Sequence, residues 1–312
     1  MDRRMFIETL AAMGAAALNI PVVHAQKNPL AATEQQFLTF GNWSAMNPTN
    51  YNPNTGTYAS ISSIEADLDI LVAAGITGIR TYGANNGLRE IPRLAKDRGL
   101  SVIMGIWDID RDGTGSEEWT NAVNAASHVD GYAAGNEGLY IRYTFYELTD
   151  YINALRAETG KPVTTSEVLP RYSEQWVLDT GDWLFPNIHP FWSDTAAAIR
   201  VVRASITNPS QAYTWTRARH DEIVARANGK LVILGECGLP TEGASGLSEE
   251  GQRDYYALMN TSGMHFHYFE AFDQLWKNWH PVEPHWGLWD ASRNPKLAAG
   301  IIGDIPTGIL LR

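Results

Sequence analysis

The chain has 312 residues, 44% hydrophobic and 19% charged, which is apolar material for one large core or two smaller ones. A formal charge of -11 with no basic stripe excludes a nucleic-acid surface. The single cysteine, Cys237, excludes an intrachain disulfide and any Cys-rich zinc or iron–sulfur site.

Residues 1–25 read as a removable leader rather than as part of the fold. Arg3-Arg4 is followed by Phe6 and Ile7, then by a mildly apolar run and "VHA" before Gln26, which resembles a twin-arginine export signal. Asp2 and Glu8 cancel the two arginines, so removal leaves the charge at -11. The run is too short to span a bilayer. The mature chain, 26–312, is therefore expected to be an exported monomer, periplasmic or extracellular, with no membrane insertion.

Downstream, strand-like and helix-like stretches alternate. "QFLTFGNW" reads as a strand and leads into a long polar loop. "SSIEADLDILVAAG" carries Ile64, Leu68, Leu71 and Val72 at helical spacing and ends in Gly75. "ITGIRTYG" is strand and "GLREIPRLAKDRG" helix; "LSVIMGIWD" is strand and "EEWTNAVNAASH" helix. "DGYAAGNE" is strand and "YTFYELTDYINALRAETG" helix. "KPVTTSE" is strand with a short helix near "SEQWVLD". "DWLFPNIHPFW" is strand before a helical tract reaching about Asn228. "GKLVILGE" is strand and "SEEGQRDYYALMNTSG" helix, then "MHFHYFEAF" is strand and "PKLAAGII" a closing helix. About eight strand–helix units predict an α/β fold, a single (β/α)8 TIM barrel. A doubly wound sheet fits less well, because "FGNWSAMNP" after the first strand has no Gly-rich phosphate turn.

Two of these strands end in an acid. Glu137 closes the fourth and Glu236 the seventh, and strand C-termini surround a barrel's active site. A carboxylate is poor strand material and costly to bury, so a chemical use is expected. Two facing carboxylates are what glycoside hydrolysis requires. Eleven Trp suit a flat, apolar-faced ligand such as a sugar, although any single one could equally be core.

Seven stretches then carry a family resemblance: "IRTYGANNGL", "GIW", "GNE", "NIHPFW", "ILGECGLPTEG", "YFEAFDQLWK" and "PHWGLWD" with "NPK". In this order, over nearly the whole mature chain, they resemble glycoside hydrolase family 17, the β-1,3-glucanases, in particular its smaller bacterial members. The resemblance implies a retaining double displacement on β-glucan without cofactor or metal. Glu236 would be the nucleophile and Glu137 the general acid/base, kept protonated by the neighbouring carboxylate. Asn136 would donate to the sugar's 2-hydroxyl, and the carboxyls would stand about 5 to 5.5 Å apart. Cys237 and Leu239 replace the usual Thr or Ser and Trp. Gln274 stands where many members have Glu, which puts a network with Lys277 in doubt. A β-1,3-glucanosyltransferase would use the same residues. A non-catalytic glucan-binding barrel is the third reading, disfavoured because both acids are present.

Substrate contacts are expected from Tyr82, Trp107, His189, Trp192, Glu270, Trp276 and Lys277. Glu270 and Asp273 either support the site by orienting Lys277 or a sugar hydroxyl, or form a purely structural ion pair. Arg80, two residues before Tyr82, shares its face and is either a deeper member of the site or a core ion pair. Glu167 ends the fifth strand and is read as a rim or supporting acid. Cys237 is read as space-filling. His265 and His267 alternate on one strand, but no further ligands at suitable spacing accompany them. Trp279, Trp286 and Trp289 are further candidate platforms. The loop after the first strand is a candidate wall of the cleft.

Overall fold

The structure, a computed structural model, describes residues 38–39, 41–113, 115–196 and 205–303, with the side chains of 194–196 left out. The expected export signal at 1–25 lies outside the described residues.

Seven parallel strands form one sheet: β1 (Asn42–Ala45), β2 (Ile76–Arg80), β3 (Ser101–Ile106), β4 (Gly131–Asn136), β5 (Val163–Ser166), β6 (Ile233–Cys237) and β7 (His265–Tyr268). Their order is β5-β4-β3-β2-β1-β7-β6. The gap between β5 and β6 is bridged by "DWLFPNIHPFW". Leu184 and Asn187 pair in parallel with Val232 and Glu236, and Asn187 N–H donates to the Glu167 carbonyl at 3.0 Å. Pro186 lacks an N–H, so the ladder is broken there, yet its carbonyl accepts from Gly235. This segment acts as the sixth stave of a (β/α)8 barrel, which puts Glu236 on the seventh.

Helices cover the sheet from outside: α1 (Ile61–Ala73), α2 (Ile91–Lys96), α3 (Ser116–Asn124), α4 (Phe145–Thr159), α5 (Gln175–Asp179), α6 (Pro209–Arg226) and α7 (Glu249–Asn260). Their starts follow from sequence. Ser60 caps α1, and Thr144 with Glu147 forms a reciprocal capping box on α4, which Gly160 closes in a left-handed turn. The expected closing helix at "PKLAAGII" is only a single 3-10 turn, Ala299–Ile301.

Strands covered on both faces are buried along their length, and β6 (Ile-Leu-Gly-Glu-Cys) and β5 (Val-Thr-Thr-Ser) are buried at every position. The barrel interior is filled from below by Trp43, Ile103, Ala133, Trp183, Phe185 and Ile233. Trp43 stacks on His267 with ring centres 4.7 Å apart. Gly78 makes room for that indole, since a Cβ there would lie 2.4 Å from Trp43. Above this layer the interior turns polar, and the site begins.

Candidate active site

Arg80, at the end of β2, is the hub. It is buried among the staves, and its two terminal nitrogens reach different strands. Nη2 donates to Asn136 Oδ1 at 2.8 Å, and Nη1 to Ser166 Oγ and the Gly235 carbonyl, both at 3.1 Å. Nη1 also meets Glu236 Oε1 at 3.3 Å. The guanidinium lies over the Tyr82 ring at 4.5 Å and faces Phe185 at 5.0 Å. The two readings of Arg80 thus merge: its core ion pair is made with the candidate nucleophile.

Glu236 is 2% exposed, and donors surround its carboxylate. Tyr82 Oη donates to Oε1 at 3.0 Å, and His189 Nε2 meets Oε2 at 2.9 Å. Burial, and next the Glu236 charge, hold the Tyr82 phenol well above its ordinary range, so it stays a donor. Phe269 and Trp286 pack edge-on against the His189 ring, each at 5.1 Å, and fix its plane.

Glu137 follows β4 with φ +50, a left-handed conformation uncommon outside glycine. Its neighbours explain how it is held. Gly135 also has positive φ, and a Cβ on Gly135 or Gly138 would run into Tyr143 at 2.2 Å. Tyr143 Oη accepts from Gly138 N–H at 3.1 Å and donates to Glu167 Oε1 at 2.6 Å. Asn187 Nδ2 donates to Glu137 Oε1 at 3.0 Å and to Asn136 Oδ1 at 3.2 Å. Both acceptor contacts of the Asn136 side chain fall on Oδ1, away from its amide N–H groups. One carboxylate oxygen of Glu137, one of Glu236 and a ring nitrogen of His189 all lie within 4.8 Å of one another.

Glu270 is buried, and Lys277 Nζ donates to its Oε1 at 2.6 Å. Its Oε2 has no hydrogen-bond partner among the described residues. Burial outweighs the lysine and pushes the carboxyl up to about 7. Glu167 is likewise pushed up to about 7 by burial against the donation from Tyr143. It supports the Glu137 turn from below rather than standing at the rim.

Several expectations need correction. Asp273 pairs with Lys296 at 2.7 Å, not with Lys277. The Gln274 side chain does not reach Lys277, as its missing charge suggested: its carbonyl accepts from Lys277 N–H at 2.9 Å, but its Oε1 accepts from Trp276 Nε1 at 2.8 Å. Trp286 and Trp289 are buried core residues, not platforms. Trp107 is 47% exposed, with the Arg142 guanidinium 4.0 Å from its ring centre. Arg142 also donates to the Trp107 and Asn136 carbonyls, tying that ring to the Glu137 turn. Trp192 and Trp276 are partly buried at the mouth, Trp192 edge-on to Phe191 and His280 at 4.8 Å each. His265 is exposed at the foot of β7 and His267 is buried beneath Arg80's layer, so they form no ligand pair. Burial pushes the Cys237 thiol up, in keeping with a space-filling role. Arg142, Tyr143 and Asn187 were not singled out from sequence. Asn187 had a usable signal, because it lies two residues before His189 and shares its face.

A (β/α)8 barrel with a close pair of acids at its C-terminal mouth defines a glycoside hydrolase class of enzyme. The chain matches the BtgE/BtgC glycoside hydrolase domain over residues 45–287 and belongs to that family. It is 25% identical over 280 residues to the glucan 1,3-beta-glucosidase BGL2 of Candida albicans, covering 77% of this chain and 87% of that protein. It is 27% identical over 262 residues to the probable beta-glucosidase btgE of Aspergillus flavus, but spans only 41% of that longer protein. Among solved structures it resembles the glycoside hydrolase family 17 beta-1,3-glucanosyltransferase of Rhizomucor miehei, with a TM-score of 0.67 at 24% identity over 83% of this chain and 96% of that one. CJP38, a beta-1,3-glucanase and allergen of Cryptomeria japonica pollen, gives 0.62 at 16% identity over 82% and 97%. No helix among the described residues is long and apolar enough to cross a membrane.

Proposed function

We propose that the protein is an exported, monomeric, retaining hydrolase of β-1,3-glucan, acting without cofactor or metal, with Glu236 as nucleophile and Glu137 as general acid/base. We place it with the smaller bacterial members whose motifs it resembles. The single observation that carries the mechanism is the closeness of the two acids, whose nearest oxygens lie within 4.8 Å. Retaining pairs stand about 5 to 5.5 Å apart, whereas inverting pairs leave about 6.5 to 9.5 Å for a water. The substrate rests on the relatives named for β-1,3-glucan and on the motif resemblance.

The roles follow from the surroundings of each acid. A guanidinium, a phenol and an imidazole converge on Glu236 and stabilise the negative charge a nucleophile must carry. In the first step Glu137 gives its proton to the glycosidic oxygen. Glu236 bonds to the anomeric carbon as the leaving sugar departs, forming a glycosyl ester. In the second step the Glu137 carboxylate takes a proton from water, the water oxygen bonds to the anomeric carbon, and the ester to Glu236 breaks. A sugar hydroxyl in place of that water gives glucanosyl transfer. Asn136 would hold the 2-hydroxyl through its amide N–H groups. Glu270, neutral below about 7 and with an unpaired oxygen, would take another hydroxyl together with Lys277. Trp107, Trp192 and Trp276 would supply faces for sugar rings.

The test is an early-time anomeric NMR and chromatographic profile on purified β-1,3-glucan, with Glu236→Gln as control. Short β-anomeric products absent from the variant support this reading. Products longer than the donor move it to a transferase. α-Anomeric first products defeat the retaining assignment, and glucan binding without turnover in the parent leaves a binding barrel.

A further inference from the structure

Gln274 is buried at the barrel mouth, and its amide is used at both ends. Nε2 donates to the carbonyls of Asn47 at 3.1 Å, Phe272 at 3.3 Å and Pro48 at 3.4 Å. Oε1 accepts from the Trp276 indole at 2.8 Å. A neutral amide is the side chain of this length that can face carbonyl oxygens on one side and an N–H on the other. A carboxylate would turn an acceptor toward three acceptors. Gln274 therefore joins the loop after β1 to the loop after β7 and aims the indole between them.

The remaining contacts of Trp276 complete the clamp. Its ring is edge-on to Tyr51 at 6.1 Å and tilted against Trp279 at 5.7 Å. Its carbonyl accepts from Asn54 Nδ2 at 3.4 Å, again from the β1 loop. Lys277 Nζ lies 5.7 Å from the ring centre, so the indole adjoins the Glu270–Lys277 pair.

We propose that Gln274 is a positioning residue that fixes Trp276 as the platform for a sugar unit beyond the bond being cleaved, and so sets affinity for longer chains rather than the rate of bond breaking. This rests on the β-1,3-glucan reading above. The Asn47–Pro48 stretch and Asn54 act with it, which gives the β1 loop its role as a wall.

The test measures kcat and KM on a linear β-1,3-linked glucose hexamer for the parent, Gln274→Met, Gln274→Glu and Trp276→Phe, which keeps a ring but loses the indole N–H. KM rises about tenfold in both Gln274 variants, equivalent to about 1.4 kcal/mol, while kcat changes less than about twofold. In the Trp276→Phe background Gln274→Met changes KM by less than about twofold, because the indole bond through which it acts is already gone. Thermal midpoints verify folding. If a Gln274 variant does not fold, Trp276→Phe alone must still raise KM. A parent inactive on the hexamer overturns the functional reading itself. An active parent whose Gln274 variants keep its KM or lose kcat instead, or in which Gln274→Met loses as much in the Trp276→Phe background, overturns this inference alone.

Discussion

Replacing Arg80 by lysine tests whether one buried cation organises both acids. The guanidinium serves Asn136 with one nitrogen and Glu236 with the other, at 2.8 and 3.3 Å, across two strands. An ammonium is a point donor and cannot hold both. Hydrogen bonds to charged groups contribute about 1.5–3 kcal/mol, so losing the Asn136 arm lowers kcat/KM by about 10- to 150-fold. Arg80→Met goes further. It leaves the Glu236 carboxylate buried without its cation, and breaking such a pair costs about 3–5 kcal/mol of stability. Steady-state kinetics on soluble β-1,3-glucan reads the first effect. Urea unfolding reads the second, at unchanged slope. If Arg80→Lys keeps kcat/KM within about threefold of the parent and Arg80→Met loses less than about 1 kcal/mol, the guanidinium does not organise the site.

The raised carboxyl of Glu167 predicts a pH effect on stability. Its folded value of about 7 lies above the ordinary 4.5, so the folded state holds a proton that the unfolded state releases, and stability falls as pH rises from 4.5 to 7. Glu167→Gln removes that proton release, so its urea midpoint falls less between pH 5 and pH 7 than the parent's; equal slopes would show that Glu167 is not the group responsible. Gly78→Ala forces a methyl to 2.4 Å from Trp43 and should cost about 1–3 kcal/mol through overpacking, read from the thermal midpoint. An unchanged midpoint would mean that Trp43 relaxes freely. Asn187→Ala removes the donor to Glu137 and should lower kcat on β-1,3-glucan by about tenfold, a loss of about 1.4 kcal/mol. Parent-like kcat would show that the Asn187 bond is not what holds Glu137 in place.

Sequence alone determined the barrel, because eight short strand-like runs alternating with stretches of helical period admit few other architectures. It also singled out Glu137 and Glu236 as candidates, since an acid ending an otherwise apolar strand is chemically costly without a use, and the structure brings the two together. Even the irregular sixth stave was legible in "DWLFPNIHPFW", although Pro186 interrupts its ladder. Partner choice was not legible. Asp273, Gln274 and Lys277 lie within five positions, and their proximity in sequence suggested one shared network. The chain turns between them, so Asp273 finds Lys296, Lys277 finds Glu270, and Gln274 finds the β1 loop. Trp286 and Trp192 read alike as strand-end aromatics, yet one is buried in the core and the other stands partly open at the mouth. Arg80 could be called core or site until its two nitrogens were seen to reach separate strands. Periodicity and residue chemistry are local properties that a sequence carries by itself. Which side chains meet across a closed barrel depends on stagger, rotamer and loop path, and only the tertiary structure decides those.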